Sequence, residues 1–412
     1  MKQRPFTRRE FFETSGRGLG LLAFSQWAPL FLTQSALAGA PEAEKDRSIL
    51  VLIQLAGGND GLNTCVPYED ANYYKLRPTL AIPEHSVLKL NHEIGLHGSC
   101  APLHRLLNDG KLSIIQNVGY PNPNRSHFRS TEIWETASDS DRYARTGWLG
   151  RYFDNACEGA PADGTPRGIH IGNEVPQSFL ADQPHPLHGL ANGSGNRRQH
   201  QETVKLLGSL LEASSTEPGT PNGTFLQHTM MNALATDRRV ETILGSRRSR
   251  ARYPNNRFSQ SLSAIASLIA GGMETRVYFA SLGGFDTHSN QARNHANLLQ
   301  TLSEGLIAFQ RDLEERKLDD QVVTMTFSEF GRRSNENDSA GTDHGTSAPL
   351  FVMGSKVKGG LFGETPNLDF ERNADLPHSI DFRQIYSTIL TRWLNCDSTR
   401  ILGRDFAPIE FL

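Results

Sequence analysis

The stretch RSILVLIQLAGGNDGLNT, residues 47–64, constrains the fold more than any other part of the chain. Residues 48–55 form a short, nearly continuous apolar run with β-branched members, which suits a strand buried on both faces of a largely parallel sheet. The run ends in Ala56-Gly57-Gly58-Asn59-Asp60-Gly61, where glycine permits a sharp exit at positive φ and a carboxylate is carried to the strand's C-terminal edge. In open α/β sheets, ligands bind at that edge. Asp60 is therefore a candidate site residue; taken alone, its residue type serves equally well as a turn cap.

The same pattern recurs along the chain. Residues 111–118, 168–172, 276–282, 321–327 and 348–353 read as further strands. Residues 101–107, the segment SHFRSTEIWETAS from Ser126, and residues 202–213, 226–244, 258–269, 294–316 and 381–394 read as helices. Strands alternating with helices of these lengths predict an α/β fold, a mostly parallel or mixed sheet covered on both sides. Between about 155 and 256 the composition shifts to Gly, Pro, Asn and Ser, which predicts a cap-like region inserted over the sheet edge of one domain spanning 39–412.

The amino end reads as an address and not as part of the fold. Thr7-Arg8-Arg9-Glu10-Phe11-Phe12 is a twin-arginine pattern, residues 18–32 are moderately apolar, and Ala36-Leu37-Ala38 is a small-x-small cleavage site. This order predicts a Tat signal at 1–38, passage through the Tat translocon, and a periplasmic or secreted product with no membrane span after cleavage. The apolar stretch is shorter than the roughly 20 residues a spanning helix needs.

With 42 Lys and Arg against 45 Asp and Glu, a net charge of -3 argues against a nucleic-acid partner. The basic run Arg247-Arg248-Ser249-Arg250-Ala251-Arg252 reads as a solvated loop. The 4 cysteines, Cys65, Cys100, Cys157 and Cys396, show no C-x-x-C spacing for a zinc knuckle or redox pair.

Several predicted strands end in, or begin beside, a group that binds hard or borderline cations: Asp60, Asp286 with His288, Glu329, and Asp343 with His344. Each alone has a structural explanation, as loop cap, ion-pair partner or core histidine. Gathered at one sheet edge, they suit one or two divalent ions, with Zn, Mn, Mg and Ca not distinguished by residue type. Two such ions clamp an in-line displacement at phosphorus or sulfur. Ser126 stands at the start of a predicted helix, and His127 and His97 are open as ligands or acid/base groups.

The set LVLIQLAGGNDGLNTCVPY, NRSHFRSTEIWET, GGFDTHSNQ, FSEFGRR and GTDHGTSAPLFVMG resembles the bacterial family called domain of unknown function 1501, over nearly the whole chain after the signal. That family is placed in the alkaline-phosphatase-like superfamily, with phosphatases, arylsulfatases and cofactor-independent phosphoglycerate mutases. The resemblance implies a three-layer α/β/α sandwich. It also implies metal ligation by Asp60, Asp286, His288, Glu329 and His344. Ser126 would be the nucleophile at a helix N-terminus, with Arg125 or Arg332 steadying the anion's equatorial oxygens.

Departures from the superfamily pattern stand beside it. Asp286-x-His288 replaces Asp-x-x-x-His, Glu329-Phe330 stands where an Asp-His pair is usual, and no cysteine lies in the C-x-[PS]-x-R pattern of formylglycine sulfatases. The expectation is a metal-dependent hydrolase of a phosphate or sulfate ester, small or polymer-linked. The alternatives are a non-catalytic binding or assembly protein, and a transferase of phosphoryl-linked groups onto envelope polymers.

Overall fold

The computed structural model describes residues 47–155, 165–172, 174–190, 221–246, 249–369 and 373–412. The predicted signal at 1–38 and the predicted helix at 202–213 lie outside the described residues.

In chain order the elements begin with β1 (Ile49–Ala56), β2 (Cys65–Val66), α1 (Ala71–Leu76), β3 (Val87–Lys89), β4 (Gly95–His97), α2 (Ala101–Asn108) and β5 (Leu112–Gly119). They continue with α3 (His127–Thr136), α4 (Trp148–Asp154), β6 (Gly168–Ile171), β7 (Leu187–Leu190), α5 (Pro221–Ser246), α6 (Arg257–Ala270), β8 (Val277–Gly283) and α7 (Gln291–Glu315). The last are β9 (Val322–Phe327), β10 (Ala348–Met353), β11 (Gly360–Phe362), β12 (Ile380–Asp381), α8 (Phe382–Thr388) and α9 (Ser398–Leu402).

Nine strands form one sheet in the order β11-β5-β10-β9-β1-β8-β6-β7, with β12 beside β5. β1 is central, parallel to β8 with Leu50 opposite Val277 and parallel to β9 with Ile49 opposite Val322. Its nearly continuous apolar sequence has a direct cause in the layers on either side. Ile49, Val51, Ile53 and Leu55 pack into a core shared with Leu103 of α2, Leu262 and Ile265 of α6, and Leu299, Leu302 and Phe309 of α7. Leu50 and Leu52 face the opposite core, with Ile133 and Trp134 of α3, Trp148 of α4, and Ile385 and Tyr386 of α8. Alternate side chains bury in different layers, so both faces of the strand are apolar up to the partly buried Gln54 near its C-terminal end. The result is a three-layer α/β/α sandwich.

β10 is the exception in direction, antiparallel to both β5 and β9. Its N-terminal end therefore lies at the edge where β1, β5, β8 and β9 finish, and the loop before it joins their exit loops. Within the stretch expected as an inserted cap, β6 and β7 lengthen the sheet, β6 pairing in parallel with β8 and β7 with β6, while α5 is helical. The closing helix, expected to run to 394, is α-helical only to Thr388 and then widens to a π-turn over Ile389–Trp393. Cys396 takes part in a disulfide, whereas Cys65 and Cys100 are buried free thiols. Among the described residues no helix is long and apolar enough to cross a membrane.

Candidate metal centre

The loops after β1 and β8 and the loop before β10 meet closely, and glycine makes this approach possible at two points. Gly57 has φ +118°, and a Cβ there would lie 2.3 Å from the backbone nitrogen of Asp286. At Gly341 a Cβ would lie 2.2 Å from the backbone of His288. Any side chain at either position would push the loops apart.

The buried Arg332 holds the three loops in register. Its Nε donates to the Gly58 carbonyl at 2.8 Å, Nη1 to the Thr342 carbonyl at 2.9 Å, and Nη2 to the Phe285 carbonyl at 3.0 Å and to Asp286 Oδ1 at 2.7 Å. Nη2 also donates to the Gly57 carbonyl.

Three imidazoles surround the Asp286 carboxylate. The Nε2 atoms of His288 and His344 each lie 3.1 Å from Asp286 Oδ1 and 2.9 Å from one another. His127 Nε2 lies 3.5 Å from Asp286 Oδ2. The opposite nitrogen of each ring meets an oxygen: His288 Nδ1 with Asp343 Oδ1 at 3.3 Å, His344 Nδ1 with the Arg125 carbonyl at 2.8 Å, and His127 Nδ1 with Glu329 Oε1 at 2.9 Å. A carbonyl or ionised carboxylate only accepts, so these contacts suit a ring proton on Nδ1, the tautomer that turns an Nε2 lone pair inward when a cation lies between the rings and Asp286; without a cation, an Nε2–H donates to the Asp286 carboxylate instead. Metal-ligating histidines are held in the same way, by an oxygen acceptor on the outer nitrogen.

Charge at the cluster is biased toward ionised carboxylates. Burial opposes ionisation of Asp286, but hydrogen bonds from Arg332 and His344 outweigh it and bring its pKa down to about 2. Asp343 is held below the usual carboxylate range, first by the Asn337 side-chain hydrogen bond. Burial lowers the pKa of His344, which favours the neutral ring that a cation requires. Glu329 is buried, its Oε1 accepting also from the Gly57 N–H at 2.8 Å, while its Oε2 has no hydrogen-bond partner among the described residues. His127, Asp286 and His344 each offer a ligand atom within 4.8 Å of the others, the geometry of a site for one cation.

Residues 47–404 match the family described as "Protein of unknown function (DUF1501)". The chain belongs to this family. No curated protein matches the sequence. Among solved structures, it is similar to a protein in the alkaline phosphatase superfamily from Vibrio parahaemolyticus, at 10% identity and a TM-score of 0.39, covering 89% of this chain and 71% of that one. It is also similar to the PsFucS1 sulfatase from Pseudoalteromonas sp., at 10% identity and a TM-score of 0.37, covering 90% and 71%. The C-terminal periplasmic domain of EcEptC from Escherichia coli, solved in complex with Zn, is similar at 9% identity and a TM-score of 0.36, covering 76% and 75%. What the site of this DUF1501 member does has to follow from its own geometry.

Of the residues singled out from sequence, the fold brings together Asp286, His288, Asp343, His344, Glu329 and His127. Asp60 lies elsewhere: fully buried, it pairs with Arg77 at 2.6 Å. Arg332 is enclosed by backbone carbonyls and Asp286, so it holds the site together from behind and presents no surface to a substrate. Ser126 is the exposed N-cap of α3, its side chain making no capping hydrogen bond. It lies between Arg125 and His127, both tied to the cluster. Arg125 is half-exposed, its guanidinium 3.3 Å from Asp375. His97 lies at the rim of β4, its Nδ1 accepting from the Ser99 N–H at 3.0 Å, with its ring edge-on to His295.

Sequence reasoning missed Arg77 and Gln291, which sit behind the cluster. Neither terminates an apolar run, so no strand-end signal marks them. A surface cavity of about 300 Å³ lined by Arg105, Leu106, Arg311 and Glu314 lies between α2 and α7 and includes none of the cluster residues.

Proposed function

We propose that this protein is an exported, metal-dependent hydrolase of phosphate or sulfate esters, with Asp286, His288 and His344 holding a divalent cation and His127 completing the donor set. The supporting observation is that three Nε2 atoms turn toward one carboxylate, two of them only 2.9 Å apart. In the tautomer with both protons on Nδ1, that pair is two facing lone pairs, and a cation relieves the repulsion between them. Ligands 2.0–2.1 Å from a tetrahedral ion stand roughly 3.3 Å apart, close to the spacing here. The donor set of imidazole and carboxylate suits zinc or manganese better than an all-oxygen calcium site.

Such a cation supplies Lewis-acid polarisation of a phosphoryl or sulfuryl oxygen, worth several kcal/mol in the transition state. The chain supplies the rest. The Ser126 hydroxyl is exposed and unspent on capping, at a helix N-terminus whose free N–H groups and dipole favour a tetrahedral anion. In this reading it attacks the ester's phosphorus or sulfur, the alcohol leaves, and water then frees the serine. Arg125 has donors to spare for the anion's other oxygens. The twin-arginine sequence at the amino end supports export.

The test is metal analysis of the purified protein together with hydrolysis of aryl phosphate and aryl sulfate by wild type, Ser126→Ala and His344→Ala. The expected result is a bound cation and turnover in wild type, turnover lost in both variants, and the cation lost only in His344→Ala. Metal-loaded wild type that turns over neither ester would overturn the hydrolase reading.

A further inference from the structure

We infer that Asp60 is a positioning residue for the cation site, acting through the side-chain amide of Gln291, and not a ligand. This rests on the reading that the cluster holds a cation. Both oxygens of Asp60 are committed: Oδ2 accepts from Arg77 Nη1 at 2.6 Å and from Gln291 Nε2, and Oδ1 accepts from Arg77 Nη2 at 3.0 Å. Arg77 is itself fixed, donating to Asn63 Oδ1 at 2.8 Å and to the carbonyls of Ser334 at 2.7 Å and Arg333 at 2.8 Å. An arginine anchored by five acceptors leaves its carboxylate partner no freedom to swing toward an ion.

The consequence appears one residue further on. An ionised carboxylate only accepts, so Gln291 turns its NH₂ group to Asp60 and its carbonyl the other way. That Oε1 accepts from Thr287 Oγ1 at 2.9 Å and from Thr342 Oγ1 at 2.6 Å. Thr287 stands between Asp286 and His288. Thr342 precedes Asp343, the acceptor for His288 Nδ1, and its own carbonyl receives Arg332. The Thr342 N–H also donates to the Thr287 carbonyl at 3.1 Å. A single buried amide, oriented by the Asp60 charge, therefore sets the spacing of the two loops that carry His288 and His344.

Partners of ligand groups typically matter roughly 10–100-fold in metal affinity. The test uses the purified protein stripped of metal and titrated with Co²⁺ alone, read by affinity and by the visible absorption spectrum, with the melting temperature of the metal-free form as a fold control. The double variant Thr287→Val with Thr342→Val keeps shape and removes both hydroxyls; Thr287→Ser with Thr342→Ser keeps the hydroxyls. The expected result is at least about a tenfold loss of Co²⁺ affinity and an altered spectrum in the valine pair, with wild-type behaviour in the serine pair. Asp60→Asn, where it folds, should shift the spectrum in the same direction. A valine pair with wild-type affinity and spectrum overturns the positioning role alone. Wild type that binds no Co²⁺ overturns the cation site and this role with it.

Discussion

His288 and His344 face one another through their Nε2 atoms at 2.9 Å, with the same Asp286 oxygen 3.1 Å from each. One ring comes from the exit of β8 and the other from the entry to β10, so the encounter is a product of the sheet's directions and not of local sequence. Alanine at either position should cost more cation affinity than the roughly 10–100-fold typical of an outer partner, because a donor itself is removed. Metal retained after dialysis, measured by mass spectrometry on wild type, His288→Ala and His344→Ala, checks this. Retention equal to wild type in both variants would place the cation elsewhere.

Cation removal should also lower stability. A ligand that binds only the folded state stabilises it by about 2.7 kcal/mol when present at 100 times its dissociation constant. Chelator treatment is therefore expected to lower the melting temperature of wild type by a few degrees and to leave His344→Ala unmoved. Equal shifts in the two proteins would show that the chelator acts at another site.

Below the cluster, His295 is fully buried, its Nε2 3.0 Å from Asn59 Oδ1. Burial is the main cause that pushes its pKa from 6.5 down to about 4, helped by the charges of His97 and Arg77 and opposed by Asp60. A depressed folded value means that the contribution to stability is present above pH 6.5 and is lost as pH falls toward 4. The full contribution is about 3 kcal/mol. Urea unfolding at pH 7 and pH 4 should show the advantage of wild type over His295→Gln shrinking by about that amount.

How far the site is legible in sequence depends on whether a residue's role is set locally. Asp286, His288 and His344 follow or precede apolar runs through glycine-rich turns, and that local pattern carries them to the sheet edge. Asp60 ends a run in the same way, yet it faces Arg77 and Gln291. The pattern places a carboxylate at an edge but does not say what meets it there. Arg77 lies in a polar segment, and Gln291 opens a helix three residues after His288, so their contacts form only in three dimensions. The direction of β10 is equally hidden, since an apolar run reads the same for either direction, and only the antiparallel pairing puts His344 beside His288. Arg332 resembles an anion-binding arginine in sequence, but burial against four carbonyl oxygens gives it a different task.

A second buried group makes the pH response of the whole fold testable. Glu135 of α3 is buried, its Oε2 accepting from the Ser178 N–H at 3.0 Å. Burial pushes its pKa from 4.5 up to about 7, with the N–H groups of Ser178 and Gln177 opposing. A raised folded value means that stability is fully present below pH 4.5 and is lost as pH rises through about 7, again about 3 kcal/mol. Between pH 4.5 and 6.5 this slope runs against that of His295, and the two contributions nearly cancel. Wild type should show little change in urea midpoint across that interval. Glu135→Gln should remove the falling limb and expose stability that rises with pH, whereas His295→Gln should expose stability that falls. Two single variants with parallel pH profiles would contradict the opposite signs assigned to these two burials.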